Sequence, residues 1–448
     1  MFKFFPHTDN DIQEMLKVIG VNSLDELYAE VPEELKLKRE LDIPKAQSEL
    51  EVRKEFQRLA NKNQQLICFA GAGAYDHYQP SLIPYIASRS EFATSYTPYQ
   101  AEISQGTLQY IFEYQTMMAE LTGMDVSNAS MYDGATATAE AMLMCVNSAK
   151  KKNTVLISET FDPRTIAVVK TYAKYHGINL EVIPAKDGVT DKEAIAARFE
   201  QEKDVAGVIV AQPNFYGIVE DFSGLAALCH SNKALFVINT IASTLSVLKT
   251  PGEWGADIAC GEAQSLGLPL NFGGPYIGYL CTTKAHVRKM PGRLVGATTD
   301  ANGERCFVLT LQAREQHIRR EHATSNICTA QGVMCLYVAM YLSMMSAKGL
   351  KEVNETGFAG AHYLYDKLLE TGKFEKVYDQ PFLNEFIVGY KGDLQALQAK
   401  MIEAGILPGV PVGEDKLLIA VTEKRSKEEL DTFCLLYTSP SPRDRQKS

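Results

Sequence analysis

Short apolar strands alternate with helices through the middle of this chain, and this alternation limits the possible folds more than any other feature. The strand candidates lie at residues 154–158, 179–183, 207–211, 235–239, 257–260 and 276–281. Helices are predicted between several of them, at residues 163–175, 191–201 and 224–230. Continuous apolar strands separated by helices predict an α/β fold with a mainly parallel sheet that is covered on both faces.

The chain has 448 residues, which exceeds one ordinary domain, and its patterns predict four parts. Residues 1–100 are predicted to form an N-terminal helical and loop segment, and residues 101–325 a large α/β domain. Residues 326–435 are predicted to form a bridging helix followed by a small C-terminal α/β domain. From residue 436 to residue 448 the composition changes to Pro, Ser and Arg, which predicts an artefactual or disordered tail.

Charge and composition exclude several classes of partner. The net charge of −10 argues against nucleic acid or an anionic membrane surface, and no run of 18 apolar residues predicts a membrane span. The nine cysteines form no CxxC pair, which is typical of reduced thiols in a cytoplasmic protein. The first residues of the chain do not resemble a secretory signal. We find no metal-ligand spacing, no P-loop and no GxGxxG fingerprint.

The stretch GEAQSLGLP at residues 261–269 follows the predicted strand at 257–260. In a pyridoxal-phosphate enzyme of this layout, a lysine within a few residues of such a strand binds the cofactor aldehyde as an imine. Here the corresponding positions are Glu262, Ala263, Gln264 and Ser265, and none of these side chains can form an imine. The sequence therefore predicts no catalytic residue in this chain's own pocket.

Two further elements bear on such a cofactor. The turn YDGATAT at residues 132–138 leads into a helix and could bind a phosphate, although the motif taken alone is more typical of an ordinary glycine turn that caps a helix. Asn239 ends a strand where a pyridoxal enzyme usually has an aspartate that keeps the pyridine nitrogen protonated. The two losses together predict no cofactor-binding residue in this chain's own pocket and no independent catalysis.

Other candidate residues allow alternative interpretations. Lys284 follows the strand at 276–281 and is the alternative imine-forming residue, although we expect it to be exposed. The tyrosines of SYTPYQ at 95–100 could line a pocket, an interface or an ordinary surface. Thr324, Ser325 and Asn326 are helix-capping residues by type, and the neighbouring arginines suit an anion.

Several long motifs resemble one family. They are FAGAGAYDH at 69–77, TPYQAEISQGT at 97–107, FEYQ at 112–115, GEAQSLGLP at 261–269 and ATSNICTAQ at 323–331. Together they resemble the P-protein of the glycine cleavage system, and more narrowly the subunit 1 chains of organisms that divide this enzyme between two polypeptides. The resemblance extends from residue 1 to about residue 435. Subunit 1 chains usually retain an aspartate where this chain has Asn239.

The resemblance implies a fold-type-I, pyridoxal-phosphate-dependent transferase-like fold and the decarboxylation of glycine. The aminomethyl group then passes to the lipoyl arm of the H-protein, and the lysine that binds pyridoxal phosphate covalently belongs to subunit 2, in an α–β pair doubled by symmetry. Neither a cofactor nor a metal is expected on this chain. The residues that the resemblance assigns to a site shared across the interface are Tyr96, Tyr99, Gln100, Thr324, Ser325 and Asn326. The alternatives are a non-catalytic scaffold or regulatory pseudoenzyme, and an autonomous pyridoxal-phosphate enzyme that uses Lys284.

Overall fold

The computed structural model describes residues 6–149, 151–271 and 273–438. The chain divides into two compact units, Met1–Gln64 and Gln65–Ser448, which are described separately. The first unit contains the helices α1 (Asp9–Ile19) and α2 (Glu49–Ala60). Thr8 and Ser48 each begin a helix with a capping box, and Gly20 ends α1 in the left-handed conformation. Both helices lie in the segment that the sequence predicts to contain helices and loops.

The second unit alternates helices and strands along most of its length. Its helices are α3 (Leu82–Ala87), α4 (Ser90–Ala93), α5 (Gln105–Thr122), α6 (Gly134–Ser148), α7 (Pro163–His176), α8 (Lys192–Gln201), α9 (Leu225–Ser231), α10 (Gln316–Arg319), α11 (Gly332–Glu370), α12 (Leu394–Glu403) and α13 (Lys427–Thr438). Its strands are β1 (Ile67–Cys68), β2 (Val126–Ser127), β3 (Thr154–Ser158), β4 (Asn179–Ile183), β5 (Ala185–Lys186), β6 (Val189–Thr190), β7 (Val205–Gln212), β8 (Leu235–Ile241), β9 (Ile258–Glu262), β10 (Gly278–Thr282), β11 (Leu294–Thr299), β12 (Arg305–Thr310), β13 (Phe374–Lys376), β14 (Glu385–Tyr390), β15 (Ile406–Leu407), β16 (Val410–Val412) and β17 (Lys416–Ala420).

A seven-stranded sheet forms the centre of the second unit, with the strand order β2-β10-β9-β8-β7-β3-β4. The five strands from β9 to β4 are parallel, whereas β10 is antiparallel to both of its neighbours. The predicted, mainly parallel sheet is therefore confirmed. The chain leaves β3 for β4 on one side and returns to β7 on the other, so the strand order reverses between β3 and β7. Ligands of such sheets bind outside the carboxyl ends of the strands at this reversal.

Both faces of the central sheet are buried, as the apolar strands predict. Val155 and Ile157 of β3 face α6 and α7, whereas Leu156 lies in a separate cluster with residues of α8 and α9. The strands β9 and β10 have one face in the core with α6 and the other face packed against α5 and the first half of α11. Alternate residues of one strand thus enter different cores, which requires an apolar residue at every position.

A smaller antiparallel sheet, β13-β14-β17-β16, follows in the C-terminal part. Its core includes residues of α12 and α13 and the second half of α11. The helix α11 contributes buried residues to this core and to the core beside α5, and it contains non-helical backbone angles at Ser346. The prediction of a long helix that joins two packed regions agrees with these contacts. The helix α13 continues to Thr438, and the remainder of the predicted tail, 439–448, lies outside the described residues.

Two features differ from the expectations. The hairpin of β11 and β12 was not predicted, although Asn302 and Gly303 lie between its alternating strands. One helix of the described chain, α11, is long and apolar enough to cross a membrane by length and composition alone. A core helix passes the same test, and Cys335, Val338 and Leu364 of α11 are fully buried within the second unit.

Candidate functional site

A cavity of about 280 Å³ lies at the carboxyl edge of the central sheet, beside the reversal of strand order. We call it the sheet-edge cavity. It is lined by residues that end or follow four strands, namely Phe161 after β3, Ala211 in β7, Asn239 in β8 and Glu262 in β9. The first turn of α6 and the loop at 72–75 complete the lining. This is the place where a parallel sheet of this type binds its ligand.

Gln264 occupies the region where a pyridoxal-phosphate enzyme of this fold would carry its cofactor lysine. Its side chain is fully buried, and its Oε1 accepts a hydrogen bond of 2.9 Å from the Tyr75 backbone N–H. Its Nε2 donates to the carbonyl oxygens of Tyr75, at 3.0 Å, and Leu268, at 2.8 Å. Gln264 therefore holds the loop at 72–75 against the sheet edge. None of the residues that line the sheet-edge cavity is a lysine.

The turn before α6 is closed by carboxylates of the chain itself. Asp133 caps α6 by accepting a hydrogen bond from the Thr136 backbone N–H at 2.7 Å. Glu262 accepts the backbone N–H of Gly134 at 2.9 Å through one oxygen. Its other oxygen accepts the N–H groups of Gln264, at 3.1 Å, and Ile277, at 3.2 Å. The Gly134 amide that a cofactor phosphate would need is thus already bonded.

The remaining residues of the sheet-edge cavity are also ill-suited to pyridoxal phosphate. Asn239 donates from Nδ2 to the Thr138 hydroxyl at 2.8 Å, and its neutral amide gives a pyridinium little support. Four acidic residues line the cavity, namely Asp133, Asp162, Glu262 and Glu385, against the single cation Arg164. Arg164 is itself bonded to Asp162 and to the Ala72 carbonyl. The lining therefore does not fit this cofactor, because it offers no amine, its Gly134 amide is already bonded to Glu262, and acidic residues outnumber the single cation.

Burial raises the pKa of two of these acids. Loss of solvation raises the pKa of Glu262 to about 8, although the three backbone N–H groups that it accepts act in the opposite direction. Loss of solvation likewise raises the pKa of Glu385 to about 7, against hydrogen bonds from the Ala72 backbone and the Tyr75 hydroxyl. Glu385 therefore ties the small sheet to the loop at 72–75.

A pH-dependent contribution of Glu385 to stability follows from its raised pKa. In the unfolded chain this group titrates near 4.5, and in the folded chain near 7, so the folded state holds an extra proton between these values. Its contribution is therefore complete below pH 4.5 and is lost as the pH rises through 7. Between pH 5 and pH 8 we expect a loss on the order of 2 kcal/mol that Glu385→Gln does not show. Denaturant unfolding of both proteins at the two pH values measures it, and parallel pH profiles would contradict it.

The predicted loop tyrosines lie away from the sheet-edge cavity. Tyr96 is 87% exposed and lines a second cavity of about 270 Å³ that also contains Arg293. The Tyr99 hydroxyl accepts a hydrogen bond of 3.0 Å from Arg293 Nη2. Gln100 is exposed and precedes the short 3₁₀ helix Ala101–Ile103.

Thr324, Ser325 and Asn326 line a third cavity, beside the end of α6. The interpretation of these residues as caps of the following helix is wrong. The helix α11 begins at Gly332 with Gln331 at its cap position, six residues after Ser325. Ser325 instead accepts the Ile327 backbone N–H at 3.1 Å and stabilises a turn. The structure therefore places these residues and Tyr96 in different cavities of this chain.

Lys284 does not reach the sheet-edge cavity. It is exposed, and its backbone N–H donates to Asp125 at 2.9 Å. Because β10 is antiparallel to β9, Thr282 pairs with Ile258 at the start of β9, whereas the cavity lies at the end of β9. Lys284 thus follows β10 at the opposite edge of the sheet, which removes the geometric basis for an autonomous enzyme that uses it.

Sequence reasoning missed Glu385 and Arg293 as residues of these cavities. No sequence motif marks either residue. An acidic residue at the start of an apolar strand was the available signal for Glu385. Within the described residues, no group of three or more His, Cys, Asp or Glu side chains is arranged to hold a metal ion.

Comparisons with known proteins agree with the geometry of the fold. The family model described as glycine cleavage system P-protein matches residues 2–437. A probable glycine dehydrogenase (decarboxylating) subunit 1 from Geobacillus sp. (strain WCH70) is 48% identical, over 97% of this chain and 98% of the relative. The corresponding protein of Anoxybacillus flavithermus (strain DSM 21510 / WK1) is 47% identical over the same shares.

Solved structures agree as well. The inhibitor-bound crystal structure of glycine decarboxylase (P-protein) of the glycine cleavage system has a TM-score of 0.91 and 42% identity, covering 97% of this chain and 99% of that one. A glutamate decarboxylase of Lactobacillus brevis CGMCC 1306, only 13% identical, shares the fold with a TM-score of 0.67, covering 93% of this chain and 96% of that one. The expected fold-type-I, pyridoxal-phosphate-dependent transferase-like class is therefore confirmed.

Proposed function

The chain belongs to the glycine cleavage system P-protein family, and we propose that it is one of two subunits that decarboxylate glycine together. The second subunit supplies the lysine and holds pyridoxal phosphate covalently. The aminomethyl group of glycine then passes to the lipoyl arm of the H-protein. Relatives named subunit 1 over nearly the whole chain support a division of the enzyme between two polypeptides.

One observation carries the dependence on a second subunit. The cavity where this fold binds its cofactor is lined without a lysine, and Glu262 already accepts the Gly134 N–H at the phosphate turn. Gln264 is held by three hydrogen bonds and cannot leave its place without loss of the loop at 72–75. A chain that keeps the fold but not the imine-forming amine must act with a partner that has one.

The proposed contribution of this chain to the shared site comes from its exposed loops. Tyr96 presents a nearly free ring and hydroxyl, and Thr324 and Asn326 offer neutral donors beside an open cavity. Neutral hydroxyl and amide groups can bind a phosphate or orient a substrate without changing its charge. We place Tyr99, Gln100 and Ser325 in the same shared site, in a cytoplasmic enzyme of two such pairs.

Reconstitution tests the proposed function. The purified chain alone is expected to give no glycine–bicarbonate exchange and no absorbance from a bound cofactor. Exchange should appear when the lysine-bearing subunit and lipoylated H-protein are added. After borohydride reduction of the complex, peptide mapping should find the labelled lysine in the second subunit. The matched control is a second subunit whose lysine is replaced by alanine, and exchange by the isolated chain, or a label on Lys284, would reject the proposal.

A pure scaffold is the second candidate. The Tyr99 hydroxyl is bonded to Arg293 of the same chain, so at least one residue assigned to the shared site has a structural role. A scaffold predicts that this chain affects assembly but not the turnover of the assembled complex. Variants of Tyr96, treated in the Discussion, separate the two candidates.

A further inference from the structure

The second cavity, which we call the Arg293 cavity, has a charge opposite to that of the sheet-edge cavity. Arg293 is the one charged residue among those that line it. Four acidic residues line the sheet-edge cavity, whereas none lines the Arg293 cavity. A buried cation attracts an anion more strongly than an exposed one does, because the protein interior screens charge less than water.

The N-terminus of α11 opens into the Arg293 cavity. Gly332, Val333 and Met334 form its first turn and line the cavity. The helix has 39 residues, no side chain caps it, and its first turn contains no acidic residue. The uncapped backbone N–H groups of this turn, and the positive end of the helix dipole, are therefore part of the cavity wall.

The side chain of Arg293 gives a second, independent indication that a hydrogen-bond acceptor is missing at this cavity. Arg293 is only 6% exposed, and its Nη2 donates hydrogen bonds to the Tyr99 hydroxyl and the Cys328 carbonyl oxygen. Its buried Nε has no hydrogen-bond acceptor within the described part of the chain. Nε lies 4.0 Å from a carboxylate oxygen of the equally buried Glu315, a long ion pair, and the other oxygen of Glu315 also lacks a hydrogen-bond partner in the described chain. Glu315 does not line the cavity. A buried guanidinium N–H without an acceptor is costly unless a ligand supplies one.

Hydroxyl groups surround the same space. A Cβ atom added at Gly332 would lie 4.0 Å from the Tyr110 hydroxyl, which places this hydroxyl beside the first turn of α11. Thr97, Thr107 and Thr329 also line the cavity. Hydroxyls, backbone N–H groups and one guanidinium together match the acceptors of a small oxyanion.

We propose that the Arg293 cavity binds a small oxyanion, a carboxylate or a phosphate, between the Arg293 guanidinium and the N-terminus of α11. Anion binding at this place requires only the present chain and goes beyond the proposed function. The sheet-edge cavity, where the fold would place a phosphate, is less suited to an anion, since Glu262 accepts the Gly134 N–H at its helix terminus and four acidic residues line it.

A carboxylate fixed at the helix terminus tests the proposal without disturbing the fold. The space around Gly332 is open, so Gly332→Asp should place its carboxylate in the cavity, keep or raise the thermal midpoint, and weaken binding of inorganic phosphate by about tenfold or more. Gly332→Ala is the matched control and should bind phosphate like the unchanged chain. Calorimetric titration with inorganic phosphate and separately with acetate, at constant ionic strength, shows which oxyanion the cavity prefers.

Arginine variants locate the site. Arg293→Gln should weaken phosphate or acetate binding by about tenfold or more, whereas Arg164→Gln, in the sheet-edge cavity, should leave it unchanged. The reverse result would place the anion at α6 and overturn the proposal. Absence of saturable binding of both anions, or equal binding by Gly332→Asp and Gly332→Ala, would overturn it too, even if Arg293→Gln fails to fold.

Discussion

Replacing Gly261 by alanine is expected to destabilise the second unit by about 4 kcal/mol, from roughly 1–3 kcal/mol of backbone strain and a similar steric cost. Gly261 lies in β9 at the centre of the sheet, with a φ of 149° that side chains rarely adopt. An added Cβ would lie 2.0 Å from the Thr240 carbonyl oxygen and 2.8 Å from its nitrogen. Both atoms belong to the backbone of the neighbouring strand β8 and cannot turn away. The midpoint of denaturant unfolding measures the effect.

Gly177→Ala is the matched control for Gly261→Ala. Gly177 also has a positive φ, of 66°, but an added Cβ would meet no atom within 4 Å. The control therefore keeps the conformational cost, about 1 kcal/mol, and removes the collision. Equal destabilisation by the two substitutions would show that the close approach of β8 to Gly261 does not limit stability.

Where apolar runs were long, the sequence was enough to place the elements. The strands β3 and β4 have the predicted bounds, because each is a continuous apolar or alternating run that ends at polar residues. Helices with clear caps were also placed within a few residues, as at Gly177 after α7. Local chemistry determines such elements, so one sequence contains the required information.

Long-range pairing explains the elements that were missed. The strands β1 and β15 have two residues each and exist only because Ile67 pairs with Ile406. A two-residue strand has no periodicity that a sequence could reveal.

The candidate site was also predicted only in part, because some of its features are local in the sequence and others depend on long-range contacts. The absence of lysine at 262–265 and the neutral Asn239 could be read directly from the sequence. The occupation of the Gly134 amide by Glu262 could not, because the two residues are 128 positions apart. Their approach depends on β10, which pairs with β9 through Gly278 and Glu262 and forms a bridge to Met131. The closed phosphate turn is therefore a property of the tertiary fold.

Replacing Tyr96 by alanine is expected to lower glycine–bicarbonate exchange by the reconstituted enzyme about 100-fold, the cost of a misplaced reacting group. Tyr96 is 87% exposed, so its removal leaves the fold of this chain intact. Its hydroxyl and ring are free to contact a ligand held by the second subunit. Steady-state exchange rates, measured with subunit 2 and H-protein in excess, give kcat and KM separately.

Tyr175→Ala is the matched control for Tyr96→Ala, since Tyr175 is 78% exposed on α7. It should leave exchange unchanged. Sedimentation of the mixed subunits separates a shared site from a scaffold. A shared site predicts normal assembly with a lower kcat for Tyr96→Ala, because the ring acts only after the complex has formed. A scaffold predicts weaker assembly and an unchanged kcat at saturating subunit 2, and unchanged exchange by both variants would exclude Tyr96 from the site.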